Sequence, residues 1–215
     1  MIPVLAFPTF ARPDLAQRMV DSIDYPVEHL IIVDNSGKKQ FNPVKPDLVE
    51  NLWVIQVPHG LGPTAANNLV IKITPHAKYW IFASEDTWCE PGSLKKIHAE
   101  VDTNALNFVD AAPDWCFVAL GEGVVLKAGL ASELFHPLYF EDWDYERIID
   151  TLGIPKKRIN AKVNHNNSST IASGFGEKNS RTYEINGQLY NKRKDENFIP
   201  HQEWSLQIRR DNSWE

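Results

Sequence analysis

The sequence predicts an α/β fold in which a mostly parallel sheet is flanked by helices, and three observations carry that expectation. Apolar runs of strand length alternate with segments patterned at helical spacing, as in chains whose strands are joined by crossover helices. The run Tyr79 to Ala83 passes directly into Glu85 and Asp86, and the run His29 to Val33 into Asp34. Acids thus stand at strand carboxyl ends, where open α/β sheets bind ligands. A glycine-bearing turn, Gly60-Leu61-Gly62-Pro63-Thr64, precedes a helical stretch, and a helix that follows such a turn offers N–H groups to an anion.

Taken in order, Val4 to Phe7 reads as a first buried strand ended by Pro8. A helix starts at Arg12-Pro13-Asp14, with Pro13 suited to the first turn and Leu15, Met19, Val20 and Ile23 at helical spacing. The second strand, His29 to Val33, ends in Asp34-Asn35-Ser36-Gly37, a set of turn formers. Leu52 to Val57 is the third strand, followed by the glycine turn and a helix through Asn67, Asn68 and Ile71. Tyr79 to Ala83 is the fourth, with a Pro91-Gly92 turn and a helix from about Leu94 towards Glu100 beyond it. A carboxylate beside apolar surface needs a cation, a metal or several hydrogen bonds, so Asp86 reads as facing a divalent ion and phosphates. The alternative is that Glu85 and Asp86 only cap the turn or helix near Pro91.

The stretch after Glu100 lacks a clear pattern up to Trp115, and Trp115 to Leu120 reads as another strand, with Gly121-Glu122-Gly123 a turn or bulge. Phe140 to Arg147 places acids among aromatics at the start of a helix running through Leu152 and ended by Gly153 and Pro155. Capping is the competing explanation of Glu141 and Asp142, since the helix dipole favours acids there. Residues 160 to 171 read as a polar loop around His165, and a lone histidine is more often a structural hydrogen-bonder than a ligand. From about Gly174 the chain is polar and basic, yet Ile185, Leu189, Tyr190, Phe198, Trp204, Leu206, Ile208 and Trp214 are too many apolar residues for a disordered tail. Short helices are expected there, docked on the domain or on a second subunit.

A chain of 215 residues supports one sizeable core, and its 43% hydrophobic and 23% charged residues are ordinary for a globular protein. No apolar run is long enough to span a bilayer, and MIPVLAFPTFARP lacks a basic start and a small-residue cleavage site, so a cytoplasmic location is expected. Two cysteines, Cys89 and Cys116, lack metal-knuckle spacing and read as free thiols. The net charge of −6 is uneven: residues 1 to 150 hold 11 Lys+Arg against 21 Asp+Glu, residues 151 to 215 hold 11 against 7. The acidic part suits a metal and the basic part suits phosphates, or is simply a solvated tail.

Several stretches together resemble the family-two inverting glycosyltransferases, rhamnosyltransferase-like members above all. VLAFPTFARPDLAQRMVDSI resembles the family's first strand and helix, HLIIVDNSG its second strand with a base-binding aspartate, and GLGPTAANNLVI its glycine-rich helix start. YWIFASEDTWCEPGSL is similar to its metal-binding Asp-x-Asp strand, FEDWDYERI to its acceptor-side Glu-Asp motif, and VNHNNSST to its metal-ligand histidine segment. The resemblance spans residues 2 to 171 and implies a GT-A fold, a Rossmann-like nucleotide-diphospho-sugar transferase sheet over residues 1 to 172. Residues 173 to 215 form the basic, aromatic extension.

That resemblance implies roles residue by residue. Asp34 takes the uracil edge of the donor, with Pro8, Thr9 and Arg12 in the same pocket and Gly62, Asn68 and Glu85 completing the nucleotide site. Asp86 and His165 become ligands of Mn²⁺ or Mg²⁺, and Asp142 the general base. The implied activity is metal-dependent, inverting transfer of one sugar from a nucleotide-diphosphate sugar, a UDP-sugar by expectation, to an acceptor hydroxyl. Modified DNA bases and phosphorylated or lipid-linked saccharides are both open as acceptors, and a homo-oligomer through the extension is open as well. The chain departs from the family at Ser84, where the first aspartate of Asp-x-Asp usually stands, and at Val70, where a glycine usually follows the Asn-Asn pair. Ser84 motivates a different class of function, a non-catalytic nucleotide-sugar-binding module. A nucleotidyltransferase is disfavoured, because no Lys/Arg-bearing triphosphate loop follows the first strand.

Overall fold

The computed structural model describes residues 1–10, 12–39, 41–166, 176–198 and 204–211. Strands β1 (Ile2–Thr9) and β2 (Val27–Asp34) are apolar and almost wholly buried, the signature of parallel strands covered on both faces. They pair in register from Ile2 opposite Val27 to Thr9 opposite Asp34, and β3 (Val49–Gln56) adds on the far side of β2, also parallel. Helix α1 (Pro13–Asp21) connects β1 to β2, with Pro13 in its first turn and Leu15, Ala16, Met19 and Val20 turned to the core.

After β3, helix α2 (Gly62–Ile73) carries the chain back across the sheet, and β4 (Tyr79–Ala83) pairs with β1 on the side away from β2. The strand order therefore reverses between β1 and β4. Next to β4 lie antiparallel β7 (Phe117–Gly121), then β6 (Leu106–Asp110), then β8 (Lys156–His165) parallel to β6. Short β5 (Thr87–Cys89) closes against β8, giving an eight-stranded mixed sheet in the order β3-β2-β1-β4-β7-β6-β8-β5. Helices α1 and α3 (Ser93–Glu100) cover one face, where Met19, Leu94 and Ile97 join Leu5, Ile32 and Ile81. On the other face α2, α4 (Glu122–Ala128) and α5 (Glu141–Thr151) pack Val70, Val124 and Ile149 on Val4, Ile31 and Trp80.

Some local expectations change for identifiable reasons. Pro8 does not end β1: pairing with β4 stops at Ala6 opposite Phe82, so no ladder bond on that side needs the proline's missing N–H. Gly121-Glu122-Gly123 is no bulge but the start of α4, and its glycines serve close approach, since a Cβ on Gly121 would lie 2.2 Å from the Thr103 carbonyl oxygen. Trp115 sits in a 3-10 turn before β7. The unpatterned stretch before it contains β6, too short to show a period. The segment around His165 is a strand up to that residue, with Ile159, Ala161 and Val163 buried alternately; Asn167 to Thr170 lie outside the described residues.

The C-terminal part holds a longer helix than expected, α6 (Gly176–Asp195), and a short α7 (Leu206–Asp211). Both meet the sheet domain. Arg193 forms a buried bidentate ion pair with Asp144 of α5, and Asn186 donates to the carbonyls of Phe135 and Leu138, each at 2.7 Å. Leu206 enters the core and Arg210 pairs with Glu122 at 2.8 Å. The expected boundary at 172/173 and Trp214 lie outside the described residues.

Candidate active site

Ligands in open α/β sheets bind where strand order reverses, in the crevice beyond the strand carboxyl ends. Here that point lies between β1 and β4, so Thr9 and the triplet Ser84-Glu85-Asp86 stand on either side of it. A small cleft of about 90 Å³ opens there, lined by Pro8, Ala83 and Ser84 from the strand ends, Pro63 and Asn67 from α2, and Trp115. A larger cleft of about 550 Å³, bordered by Val4, Ile31, Trp53 and Ile73, lies at the opposite strand ends and holds none of the predicted site residues.

Glu85 is buried, and its Oε2 accepts hydrogen bonds from the Thr9 hydroxyl at 2.7 Å and the Phe10 N–H at 2.9 Å. Its carboxylate thereby fixes the exit of β1 to the exit of β4. Asp34 is 1% exposed and folds its own turn, accepting from the Ser36 N–H at 3.0 Å and the Phe41 N–H at 3.5 Å. Asn35, its neighbour, donates its N–H to the Thr9 carbonyl at 2.7 Å and accepts the Leu61 N–H on its side chain at 3.0 Å. One turn residue thus ties β1, β2 and the start of α2 together. Arg12 is partly buried and chelated by Asp14; its guanidinium pKa is raised, first by that hydrogen bond and further by the field of Glu85 and Asp86.

Gly62 and Asn68 face the segment that leads to α5. Gly62 has φ +77°, and a Cβ there would lie 2.2 Å from the Pro137 carbonyl oxygen. The Asn68 amide donates to the Ala131 carbonyl at 2.8 Å and to Glu133 at 2.9 Å, so its polar atoms hold α2 to residues 131–133.

Asp86 and His165 meet. The β5–β8 ladder sets Thr87 opposite His165, the Asn166 N–H donates to the Asp86 carbonyl at 2.8 Å, and His165 Nε2 lies 3.0 Å from Asp86 Oδ1. Both side chains are 10% exposed. His165 Nδ1 lies 3.0 Å from the Ala112 carbonyl oxygen, which must receive an N–H and so directs Nε2 at Asp86. The histidine pKa is raised by its bond to Asp86 against the opposing effect of burial. A carboxylate oxygen beside an imidazole whose other nitrogen is held by a backbone carbonyl is the donor set and outer support that metal-bound histidines show. These two residues could together hold a divalent cation such as Mn²⁺ or Mg²⁺. Among the described residues no group of three or more His, Cys, Asp or Glu side chains converges on such a point. Nearby Cys116 is buried and its thiol is pushed up to about 12, chiefly by burial, so it is inert.

Asp142 stands in the first turn of α5, where its carboxylate accepts its neighbour Trp143's N–H at 2.9 Å; burial raises its pKa. Glu141 beside it is pushed up to about 8, by burial first and by Asp142 second, and its Oε2 is buried without a hydrogen-bond partner among the described residues. Trp115 connects this helix to the cleft: it lines the cleft wall and donates its indole N–H to Glu146 of α5 at 3.1 Å. Sequence reasoning passed over Trp115 and Asn35 as site-builders. Asn35 carried a signal, being a turn residue beside a strand-end acid; Trp115 carried none.

No family model and no curated protein sequence matches the chain. Solved structures do. S. aureus TarS is similar with a TM-score of 0.57 at 12% identity, over 77% of this chain and 36% of that one. TarS residues 1–349 in complex with UDP-GlcNAc is similar with a TM-score of 0.56 at 13% identity, over 76% and 58%. The chain therefore shares the mixed α/β fold of the TarS structures. A third structure, TarS 1–349 in complex with UDP, matches at a TM-score of 0.51 and 14% identity, over 68% and 54%. The chain thus spans between about a third and three fifths of the length of the TarS chains it matches. No helix among the described residues is long and apolar enough to cross a membrane.

Proposed function

We propose that the chain is a metal-dependent, inverting glycosyltransferase that moves one sugar from a UDP-sugar to an acceptor hydroxyl. The observation that carries this reading is the meeting of Asp86 and His165 at the strand-order reversal, on a fold shared with a protein solved in complex with UDP-GlcNAc. In this reading Asp34, Pro8, Thr9 and Arg12 form the nucleotide pocket around the exits of β1 and β2. Gly62, Asn68 and Glu85 shape it, Gly62 by its close approach to Pro137, Asn68 and Glu85 through the hydrogen bonds that hold its walls.

Asp86 and His165 would hold Mn²⁺ or Mg²⁺, which when bound supplies Lewis-acid neutralisation of the departing diphosphate. Arg12, partly buried at the start of α1 and paired with Asp14, lies within the field of Glu85 and Asp86 and places its guanidinium at the same rim. Asp142 removes the acceptor hydroxyl's proton as the oxygen bonds the anomeric carbon; one in-line displacement inverts that centre. A raised carboxylate pKa suits this role, because a general base works best when its pKa approaches the working pH. Glu141, neutral below about 8, leaves Asp142 as the ionised member of that adjacent pair.

A second reading, a nucleotide-sugar-binding module without turnover, is favoured by Ser84 in the place of an acid and by the absence of a third metal-ligating side chain among the described residues. Asp142→Asn separates the two. A transferase loses on the order of 10²–10⁴ in turnover while donor affinity stays within error. A chain whose wild type binds a UDP-sugar but neither transfers nor hydrolyses it is a binder, and Asp142→Asn then changes nothing.

A further inference from the structure

A groove of about 610 Å³ runs between α5 and α6, and none of the roles above uses it. From α5 it takes Trp143, Glu146, Arg147 and Asp150, whose spacing puts them on one helix face. From α6 it takes Tyr190, Asn191 and Lys194. Trp143 is 52% exposed, so its indole is a wall of the groove and not a filled core position. It stands nearly edge-on to Tyr190 at 6.0 Å and to Phe140 at 5.3 Å between ring centroids, and Phe140 packs on Tyr190 at 5.6 Å. The aromatic walls are therefore held by one another before any ligand arrives, and half-exposed aromatic surface regains burial when a ligand covers it.

The polar lining is equally specific. The acids Glu146 and Asp150 offset the bases Arg147 and Lys194, and Lys156 against both acids leaves a net charge of only +1, so a nucleic acid would find little basic footprint. Glu146 and Asp150 are both held by Lys156, at 2.8 and 2.6 Å. These are planar, multidentate groups fixed in place beside aromatic rings. A sugar ring carries no net charge, presents vicinal hydroxyls that both donate and accept, and has apolar C–H faces that lie on aromatic surface. The groove matches each property, and its volume is that of a small-ligand site. It also begins beside the chemistry: Trp143 directly follows Asp142, and Asp150 lies roughly 10 Å further along the helix.

We propose that this groove binds a neutral saccharide, the sugar chain of the acceptor, with Trp143 and Tyr190 as its aromatic walls. The acceptor role rests on Asp142 being the base of the transferase; the saccharide class rests on the groove alone. The test applies the whole chain to an array of neutral and phosphorylated oligosaccharides and DNA oligonucleotides, with UDP-sugar thermal shifts measured on the same samples. The wild type is expected to bind a subset of the neutral glycans. Trp143→Ala weakens that binding by about tenfold or more. Asn191→Ala, on an exposed position, weakens it by a smaller factor and keeps the wild-type melting temperature, and both variants stay folded and keep the UDP-sugar shift. Absence of neutral glycan binding by the wild type, unchanged glycan binding in Trp143→Ala, or preference for DNA overturns the proposal. Glycan binding that needs Trp143 in a chain giving no UDP-sugar shift supports the saccharide groove and overturns the transferase reading instead.

Discussion

His165 Nε2 lies 3.0 Å from Asp86 Oδ1, across a pairing of two strands that are distant in the sequence. That contact makes one chemical unit of an acid at the end of β4 and a histidine at the end of β8. In the proposed transferase, its consequence is a competition between a proton and a cation.

Because Asp86 raises the histidine pKa, the apo site keeps its proton to higher pH than a free imidazole does. A metal ion needs the neutral ring, so binding must release that proton. Mn²⁺ affinity, measured by calorimetry in the presence of UDP, is expected to be weaker at about pH 6 than at about pH 8. His165→Gln should flatten the dependence while lowering affinity throughout; a wild type whose affinity does not change with pH would show that the imidazole is not a ligand.

Glu141 gives a stability prediction with the opposite sign to that of most carboxylates. Its folded-state pKa is raised to about 8, above its unfolded value, by burial and by Asp142. Its contribution is therefore complete below the unfolded pKa and is lost as pH rises through about 8. Glu141→Gln should remove that loss. In denaturant titrations above pH 8 the variant is expected to be more stable than the wild type, and equal slopes of stability against pH would refute the assignment.

Gly62 combines a left-handed backbone with a 2.2 Å approach to the Pro137 carbonyl oxygen. Gly62→Ala must strain both, at a cost on the order of 1–3 kcal/mol. Because that contact sets the start of α2 against the segment before α5, donor affinity should fall together with the melting temperature. A variant as stable as the wild type would mean that the turn relaxes freely.

The Asp144–Arg193 pair is fully buried and joins α6 to α5. Removing one partner leaves the other charged in the core, so Asp144→Ala should cost about 3–5 kcal/mol. Chemical denaturation is the measurement. A loss below about 1 kcal/mol would indicate that the pair is solvated and that α6 contributes little to the fold.

What the sequence disclosed follows from how local each feature is. The strand Tyr79–Ala83 and the acids at the ends of β2 and β4 were legible because a continuous apolar run followed by an acid or a turn is a local signal. Pro13 at the start of α1 was legible for the same reason. The β5–β8 ladder was not, since three residues of β5 show no period and their partner is remote; without it His165 reads as a lone histidine in a polar loop. Gly121 and Gly123 misled because a glycine kept for close packing on Thr103 and Asn104 has the same sequence as a bulge. Trp115 could not be assigned, since its place in the cleft wall depends on its bond to Glu146 of a later helix. Glu85 and Asn68 were expected in the nucleotide site, and their hydrogen bonds to Thr9, Phe10, Ala131 and Glu133 show an architectural part that spacing alone does not reveal.

The most direct test of the central claim is a thermal-shift and sugar-release panel of UDP-, GDP- and dTDP-sugars, with and without Mn²⁺ or Mg²⁺, on the wild type and on Asp86→Asn. A ligand that binds only the folded chain raises its melting temperature by mass action. A shift with a UDP-sugar that grows with the metal, slow sugar release in the wild type, and loss of the metal-dependent part in Asp86→Asn are expected. A wild type that responds to no nucleotide sugar, or one whose response is the same with and without metal and in Asp86→Asn, would contradict the claim.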